Sequence, residues 1–485
     1  MNVGDLLRPL RLDATPPEGR LVTRGLTSLL GLVAQGLIRL GITVAVGRLA
    51  GAADLGVVAA GMATAQFLIL LWPTTCGQAA SRFLARSRGA QDRAALLAVA
   101  DHLRRRLLLA AALLALASVP ISLARGLDPF GAACVAVFLW GVAGQQFTRG
   151  VHYGSGAIAR VVVLDVAFSL LGLLALVVVL EAGVRGPALL LPPALAYVAL
   201  SVACWPWSPR RRADRALRRE LDSFVFFGSL GTLASAGLVQ LSVLVADRLG
   251  AVAVGHYAAA VNLAMPLTLI SGALSLVLYP TMSLAVGRGD TQAVRRQLDV
   301  GVRGLLLTIV PVLTLAAVVA PEIVALAYGP GFDDSAQVLP ILLAAILFAM
   351  LAVPCVNALT SRDSRGIVEM AVASLAGLVL AGLVWVGSGA AGGIVAVATG
   401  YAAGAGLIGC YAIGRAWWVW RIRWTALALA AALGTAVAVA LVVLLAPAPL
   451  ALRLGACALF TLAWAVLRRH DVRLVAHRLR AGSRG

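Results

Sequence analysis

The sequence predicts an all-α polytopic membrane protein with about 14 transmembrane helices. Of its 485 residues, 61% are hydrophobic and only 13% are charged, and the mean hydropathy is +0.94. A soluble protein of this length could not bury so much apolar surface. The apolar residues also form separate segments of roughly 20 residues or more, the length that an α-helix needs to cross about 30 Å of hydrocarbon.

Each predicted span is an apolar run between two gaps that contain arginine, glycine or proline. Arginine-rich and arginine-poor gaps alternate, as expected when consecutive spans cross the membrane in opposite directions. Prolines inside the runs can kink a membrane helix where neighbouring groups satisfy the freed backbone. In chain order, the predicted spans cover 25–48, 55–81, 105–125, 129–149, 160–183, 187–207, 223–248, 252–286, 304–328, 336–360, 366–387, 391–414, 424–446 and 449–467.

The basic residues are distributed asymmetrically along the chain. All 40 are arginine, the net charge is +19, and most lie in the N-terminal arm, in every second gap and in the C-terminal tail. Cytoplasmic loops retain Lys and Arg, so we expect both termini on the cytoplasmic side of the membrane. We expect that membrane to be the bacterial plasma membrane. The excess charge is then expected to face anionic lipid headgroups and no nucleic acid. Six arginines fall outside this pattern: Arg39, Arg48, Arg125, Arg185, Arg248 and Arg453.

The chain resembles itself at a spacing of about 200 residues. Gly56 corresponds to Gly255, and Trp72-Pro-Thr74 corresponds to Tyr279-Pro-Thr281. A repeat of six helices starts and ends on the same side, so the sequence predicts two six-helix lobes in parallel pseudo-repeat plus a C-terminal helix pair. The predicted parts are an N-terminal arm (1–24), an N-terminal lobe (25–207), an Arg-rich linker (208–222), a C-terminal lobe (223–414), spans 13 and 14 (415–467) and a tail (468–485).

Arg39 is the main candidate binding residue because it lies deep in the first predicted span. An arginine near mid-bilayer costs about 2.5–3.5 kcal/mol to insert, so its side chain should face a cavity or a partner. Gln35 lies one turn away on the same helical face. The repeat places Gln240 opposite this face, while Gln66 and Asn262 add amides in spans 2 and 8. The alternative is an arginine that only forms hydrogen bonds between helices.

Asp165 and Glu369 are the deepest acidic residues, at nearly corresponding points of spans 5 and 11. One interpretation is a site for a coupling proton or sodium ion. The other is a local helix pair near the cytoplasmic interface, because Arg160 and Arg365 precede the two carboxylates by about one helical turn. Such a pair would be worth only about 0.2–0.5 kcal/mol.

The sequence lacks the residues that several kinds of catalytic, metal-binding and disulfide chemistry require. Without lysine the chain has no Walker A loop and no lysine for a Schiff base. Its six cysteines stand singly and its five histidines are scattered, so the sequence predicts neither disulfides nor a metal site. We therefore expect no cofactor, no ATPase and no enzymatic activity within this chain.

Several stretches, taken in order, resemble a known family of transporters. Asp247-Arg-Leu-Gly-Ala251 resembles its short outer loop, and Tyr328-Gly-Pro-Gly-Phe332 followed by Val338-Leu-Pro-Ile-Leu342 resembles its outer loop before helix 10. With the 14-segment layout, these stretches resemble the polysaccharide-transporter branch of the multidrug/oligosaccharidyl-lipid/polysaccharide exporter superfamily, the O-antigen-type flippases. The resemblance covers roughly residues 20–465.

The resemblance implies a flippase for a lipid-linked oligosaccharide, usually on undecaprenyl pyrophosphate. Such a protein moves its substrate from the inner to the outer leaflet by alternating access, for cell-surface polysaccharides such as lipopolysaccharide. Family cavities are cationic, and Arg39 matches by helix and depth. Gln35, Gln66, Gln240 and Asn262 would then offer hydrogen bonds to phosphate or sugar. The implied partners are the lipid-linked glycan, membrane lipids, and a polysaccharide polymerase or glycosyltransferases.

Two other functions remain open. An ion-coupled small-molecule or drug exporter of the same superfamily would need Asp165 and Glu369 for binding, because a cationic cavity repels cationic drugs. A membrane glycosyltransferase or polymerase usually has a large outer loop, whereas the longest predicted here is about ten residues. A lipid II flippase is disfavoured, since such proteins carry Phe-Phe-Ala-Glu-Gly in helix 2 and this chain has Gln66-Phe-Leu-Ile-Leu-Leu-Trp72.

Overall fold

The computed structural model describes residues 21–207, 211–362, 364–471 and 473. The predicted N-terminal arm and C-terminal tail lie largely outside these residues, as does the start of the predicted linker. Within the described ranges, the regular structure consists of α-helices and three short 3-10 helices. The predicted all-α class is therefore confirmed.

The chain divides into two compact units, Met1–Ala258 and Ala259–Gly485. The α-helices that begin in the first unit are α1 (Leu21–Ala50), α2 (Ala52–Leu70), α3 (Pro73–Gly89), α4 (Arg93–Ala124), α5 (Pro129–Ser155), α6 (Ile158–Glu181), α7 (Leu191–Ala203), α8 (Arg215–Asp247) and α9 (Ala251–Ala264). Those of the second unit are α10 (Thr268–Gly287), α11 (Thr291–Val318), α12 (Ala320–Tyr328), α13 (Asp333–Arg362), α14 (Ser364–Ser388), α15 (Gly393–Trp420), α16 (Thr425–Leu444) and α17 (Leu450–Leu467).

The number of candidate membrane spans agrees with the prediction from the sequence. Among the described residues, 13 helical stretches are long and apolar enough to cross a membrane. Helix α8 bends by 51° between its parts Arg215–Leu233 and Ala236–Asp247, and it makes a fourteenth span if the two parts count as one. The prediction of about 14 transmembrane helices is thus confirmed.

The second predicted span, 55–81, consists of parts of two helices. Helix α2 ends at Leu70, and α3 begins at Pro73. Proline has no backbone N–H to donate and its fixed φ suits the first turn of a helix, so it starts α3 readily. The apolar run therefore continues across a break in the backbone that hydropathy does not detect.

Two other helices extend beyond their predicted ends. Helix α4 begins at Arg93 because the side chain of Asp92 caps it, accepting a hydrogen bond from the Ala95 N–H at 2.9 Å. Helix α5 runs on to Ser155 and ends at Gly156, whose φ of 80° is the left-handed conformation that glycine adopts without strain. Hydropathy marks the part of a helix inside the membrane, whereas the caps set its ends.

The helix starts of α2 and α9 cross at very short range. A Cβ atom added to Gly56 would lie 1.9 Å from the carbonyl oxygen of Ala251. A Cβ atom added to Gly255 would lie 1.9 Å from the carbonyl oxygen of Ala52. The contact is reciprocal, because each helix start brings a glycine against a carbonyl oxygen of the other.

The core of the first unit lies where α3, α4, α5 and α8 meet. Phe83, Leu103 and Phe147 are buried there. Helices α3 and α5 approach so closely that a Cβ atom added to Gly150 would lie 2.0 Å from the carbonyl oxygen of Gly77. This packing fixes the position of α5, which carries polar residues of the candidate site.

The C-terminal helices α16 and α17 are tied to the second unit by polar contacts. Trp424, just before α16, donates from Nε1 to Asp299 of α11 at 2.9 Å. Arg453 of α17 donates to Glu322 of α12. These contacts attach the pair to α11 and α12, although most of its apolar surface is exposed.

Candidate functional site

Arg39 lies in the middle of the long helix α1, and its side chain is exposed. One of its terminal nitrogens donates to Oε1 of Gln66 in α2 at 2.8 Å. Position 39 is followed by eleven further helical residues up to Ala50, so the cation sits well inside a candidate span. An exposed arginine at this depth must be in contact with water or with a polar ligand.

Gln66 connects three helices through one oxygen atom. Its Oε1 also accepts a hydrogen bond from Nε2 of Gln240 in α8, at 3.2 Å. The structure therefore brings together three of the predicted site residues, in the order Arg39, Gln66 and Gln240. The guanidinium of Arg39 and the amide nitrogen of Gln240 thus donate to the same carbonyl oxygen.

A second polar network lies one helical turn away on α1. The amide nitrogen of Gln35 donates to Asp165 of α6. The amide oxygen of Gln35 accepts a hydrogen bond from Arg149 of α5 at 2.5 Å. Arg149 also lies 3.5 Å from Asp165, and Gln145 donates to the other carboxylate oxygen at 2.7 Å. Asp165 is only 3% exposed, so its charge is neutralised within the protein.

Gln145, Arg149 and Tyr153 are members of this network that the sequence analysis did not select. They lie four residues apart and so share one face of α5. The predicted span 129–149 ends at Arg149, whereas the helix continues to Ser155. The guanidinium of Arg149 lies over the ring of Tyr153 at 5.8 Å from the centroid. The spacing of four residues between these polar side chains is the sequence signal from which the network could be predicted.

Two other arginines outside the charge pattern have carboxylate partners. Arg125 donates to Asp247 and to the hydroxyl of Thr64, both at 2.6 Å. Arg453, in the second unit, donates to Glu322. In the described ranges, by contrast, no carboxylate lies within ion-pair distance of the Arg39 guanidinium. Arg39 therefore carries a charge that a ligand can neutralise.

Two of the predicted site residues, Glu369 and Asn262, lie in the second unit. Glu369 of α14 accepts two hydrogen bonds from Arg415 of α15, both at 2.8 Å. This bidentate pair joins two neighbouring helices and is partly exposed. Asn262 is partly buried near the end of α9. Their roles in ion coupling and in substrate binding stay predictions.

The two networks in the first unit differ in their chemistry. The Arg39 network has unsatisfied positive charge and is suited to an anion. The Asp165 network is neutral overall, with one carboxylate, one guanidinium and two amides. Among the described residues, no group of three or more His, Cys, Asp or Glu side chains is placed to hold a metal ion.

The fold is that of transporters of the MOP superfamily, the exporter superfamily of the sequence resemblance. It superposes on a multidrug resistance MATE family transporter in an inward-facing conformation with a TM-score of 0.65, at 16% identity over 80% of this chain and 94% of that chain. The lipid II flippase MurJ gives a TM-score of 0.68 at 10% identity, over 93% and 100%. A MOP transporter from Pyrococcus furiosus, whose reversed pocket polarity suggests a different function, gives 0.61 at 15%, over 82% and 95%.

A family-level sequence match adds to the structural likeness. A model of the family described as polysaccharide biosynthesis protein matches residues 147–337. The matched region contains Arg149, Asp165, Gln240 and Asn262 and ends before the last spans. It supports the resemblance to the polysaccharide-transporter branch. A search of curated protein sequences gave no significant match.

Proposed function

We propose that this chain is a flippase that moves a polyprenyl-(pyro)phosphate-linked oligosaccharide from the inner to the outer leaflet by alternating access. The observation that carries the proposal is the exposed guanidinium of Arg39, which lies inside a candidate span and has no carboxylate partner among the residues that the structure describes. The superfamily fold and the polysaccharide biosynthesis match support it. The protein then spans the bacterial plasma membrane with both termini in the cytoplasm and serves the synthesis of a surface polysaccharide.

The lipid-linked phosphate is the part of the substrate that Arg39 would hold. A guanidinium is planar and always charged, and its N–H groups match two phosphate oxygens at once. One terminal nitrogen of Arg39 is engaged by Gln66. The remaining N–H groups can bind the phosphate, and the hydrogen bond to Gln66 orients them before the substrate arrives.

The surrounding amides would contact the phosphate or the first sugars. Gln66 and Gln240 are hydrogen-bonded to each other and retain free amide groups for a ligand. Gln35 uses both ends of its amide to contact Asp165 and Arg149. Gln35 would therefore contribute to binding indirectly, because its contacts position the face of α1 on which Arg39 also lies.

The membrane potential can supply the driving force in this proposal. A pyrophosphate carries about two negative charges, and moving each one outward across an inside-negative membrane releases roughly 2.3 kcal/mol per 100 mV. The chain has no lysine and hence no Walker A loop for ATP. Export driven by the membrane potential requires neither an ATP-binding site nor a coupling-ion site in this chain.

The proposal is tested by complementation of cells that lack their own flippase for the same glycan. Arg39→Ala is expected to abolish display of the glycan at the surface, measured by lectin binding, with normal membrane insertion. Arg39→Lys keeps the charge without the bidentate geometry and is expected to restore display in part. Arg248→Ala, at an exposed arginine near the end of α8, is the matched control and should export normally. Full display by Arg39→Ala would contradict the role of Arg39.

A second candidate function is an ion-coupled small-molecule exporter. The observation in its favour is the buried carboxylate of Asp165, held between a guanidinium and two amides. An exporter of this kind would confer drug resistance on sensitive cells, and Asp165→Asn would abolish it. We expect no resistance from the intact chain, and measured resistance that depends on Asp165 would favour this function over the flippase.

A further inference from the structure

A large groove lies on the first unit, away from Arg39 and its amides. It has a volume of about 1020 Å³ and runs between α4, α5 and α7. Its walls are apolar and aromatic over most of their length, with Leu108, Trp140 and Val202 among the lining residues. These three side chains are also exposed. The volume lies at the upper end of the roughly 300–1,000 Å³ of typical small-molecule sites.

A smaller, strongly basic cavity adjoins this groove. It has a volume of about 340 Å³ and is lined by Arg105, Arg106, Arg211, Arg212 and Arg218, with Asp101 as the acidic member of the wall. Arg105 and Arg212 line both cavities. The apolar groove and the basic cavity therefore meet at two arginines.

The positive charge at this junction is only partly neutralised. Asp101 accepts hydrogen bonds from both Arg104 and Arg105 at 2.6 Å, so one carboxylate serves two guanidinium groups. Arg106 pairs with Asp222 at 2.7 Å. Arg212 is exposed. A cavity with more guanidinium groups than carboxylates attracts an anion.

We propose that this junction binds an anionic phospholipid, with the headgroup phosphate between Arg105 and Arg212 and an acyl chain along the groove. Arginines at the ends of membrane helices attract anionic headgroups of the adjacent leaflet. Tryptophans favour the same interfacial depth, and Trp205 and Trp207 line the groove beside the arginines. A single molecule with a phosphate and a hydrocarbon chain fits both cavities, because the phosphate suits the basic cavity and the chain suits the apolar groove. The occupant is a resident membrane lipid, distinct from the substrate at Arg39.

The test is lipid binding to the full chain, purified in detergent and titrated with phosphatidylglycerol under native mass spectrometry. The double variant Arg105→Gln/Arg212→Gln is expected to bind about thirtyfold more weakly. At about 1.4 kcal/mol per tenfold, this corresponds to roughly 2 kcal/mol for two arginines near an anionic phosphate. Arg295→Gln/Arg296→Gln removes the same charge from exposed positions of α11 and serves as the control. Equal binding by the two double variants would overturn the proposal.

A third variant tests the contribution of the apolar groove separately from that of the arginines. Val202→Trp fills the groove at an exposed position and leaves every arginine in place, so it should also weaken phosphatidylglycerol binding severalfold. Unchanged binding by this variant would overturn the proposed path of the acyl chain. Displacement of phosphatidylglycerol by equimolar undecaprenyl pyrophosphate would show a substrate site instead of a resident lipid site. Glycan export through Arg39 is measured separately and does not depend on either outcome.

Discussion

At the scale of single residues, the charges within the candidate spans are compensated in different ways. Asp165 has a guanidinium and two amides around it, whereas Arg39 is held by one neutral amide. A charge without a partner in a low-dielectric region is costly, so it is retained only where a ligand or water neutralises it. This difference supports the proposed binding role of Arg39 and favours a structural role for the pair of Arg149 and Asp165.

Loss of either member of that pair should destabilise the protein. Asp165→Asn leaves the guanidinium of Arg149 without its anion, and Arg149→Gln leaves the carboxylate without its cation. Removing one partner of a buried pair typically costs about 3–5 kcal/mol. Both variants are expected to unfold at lower temperature in detergent. The double variant should lose less than the sum of the two, by about 0.5–3 kcal/mol. Additive losses would show that the two charges do not interact.

Gln66 should matter for transport through its orientation of Arg39. Gln66→Ala removes the acceptor at 2.8 Å and leaves the cation in place, so we expect glycan export to fall without being abolished. The effect should be smaller than that of Arg39→Ala. Gln292→Ala, which removes the same kind of side chain from an exposed position of α11 outside the site, is the matched control and should export normally. Wild-type export by Gln66→Ala would exclude the positioning role.

At the scale of helices, the sequence predicted the spans and the helical face of Arg39 and Gln35 well. Span prediction succeeds because the cost of polar groups in hydrocarbon acts locally, on each run of residues. The break at Pro73 and the pairing of Arg149 with Asp165 were missed. Both depend on contacts between helices, which a hydropathy profile does not contain. The stripe of Gln145, Arg149 and Tyr153 could have been found, had the run been extended past its last apolar residue.

The close crossing of α2 and α9 leads to a prediction at this scale. Gly56→Ala and Gly255→Ala each place a methyl group within 1.9 Å of a backbone oxygen, so the helices must separate. Overpacking of this kind costs about 1–3 kcal/mol or more. Both variants are expected to lower the yield of folded protein and its melting temperature. Gly406→Ala, in α15 with open space around it, is the control and should be neutral or stabilising. Normal melting of both crossing variants would contradict the packing.

At the scale of the whole molecule, the arginine asymmetry predicts one orientation in the membrane. In this proposal the clusters on α3, α4 and the start of α8 lie on the cytoplasmic side, and the loop before α13 lies outside. The division into two six-helix lobes and a C-terminal pair stays a prediction. The contacts of Arg453 and Trp424 attach that pair to α11 and α12.

The orientation is tested by cysteine labelling in intact cells. Cys410 is exposed and is first replaced, as Cys410→Ala, whereas the other native cysteines are buried. In that background, Asp333→Cys, at the exposed first residue of α13, should react with a membrane-impermeant maleimide added outside. Gln292→Cys, at the start of α11 shortly before Arg295 and Arg296, should react only after the cells are opened. The reverse pattern would invert the proposed topology.

The most direct test of the central claim is a leaflet assay with the purified chain in liposomes. The liposomes contain a fluorescent undecaprenyl-pyrophosphate glycan, and a membrane-impermeant quencher reports its exposure in the opposite leaflet. We predict transport that rises with an applied potential and is lost in Arg39→Ala, while Arg248→Ala transports normally. The absence of transport with several glycans, with potential or pH gradients applied, would contradict the flippase function. Equal transport by Arg39→Ala would place the anion site elsewhere.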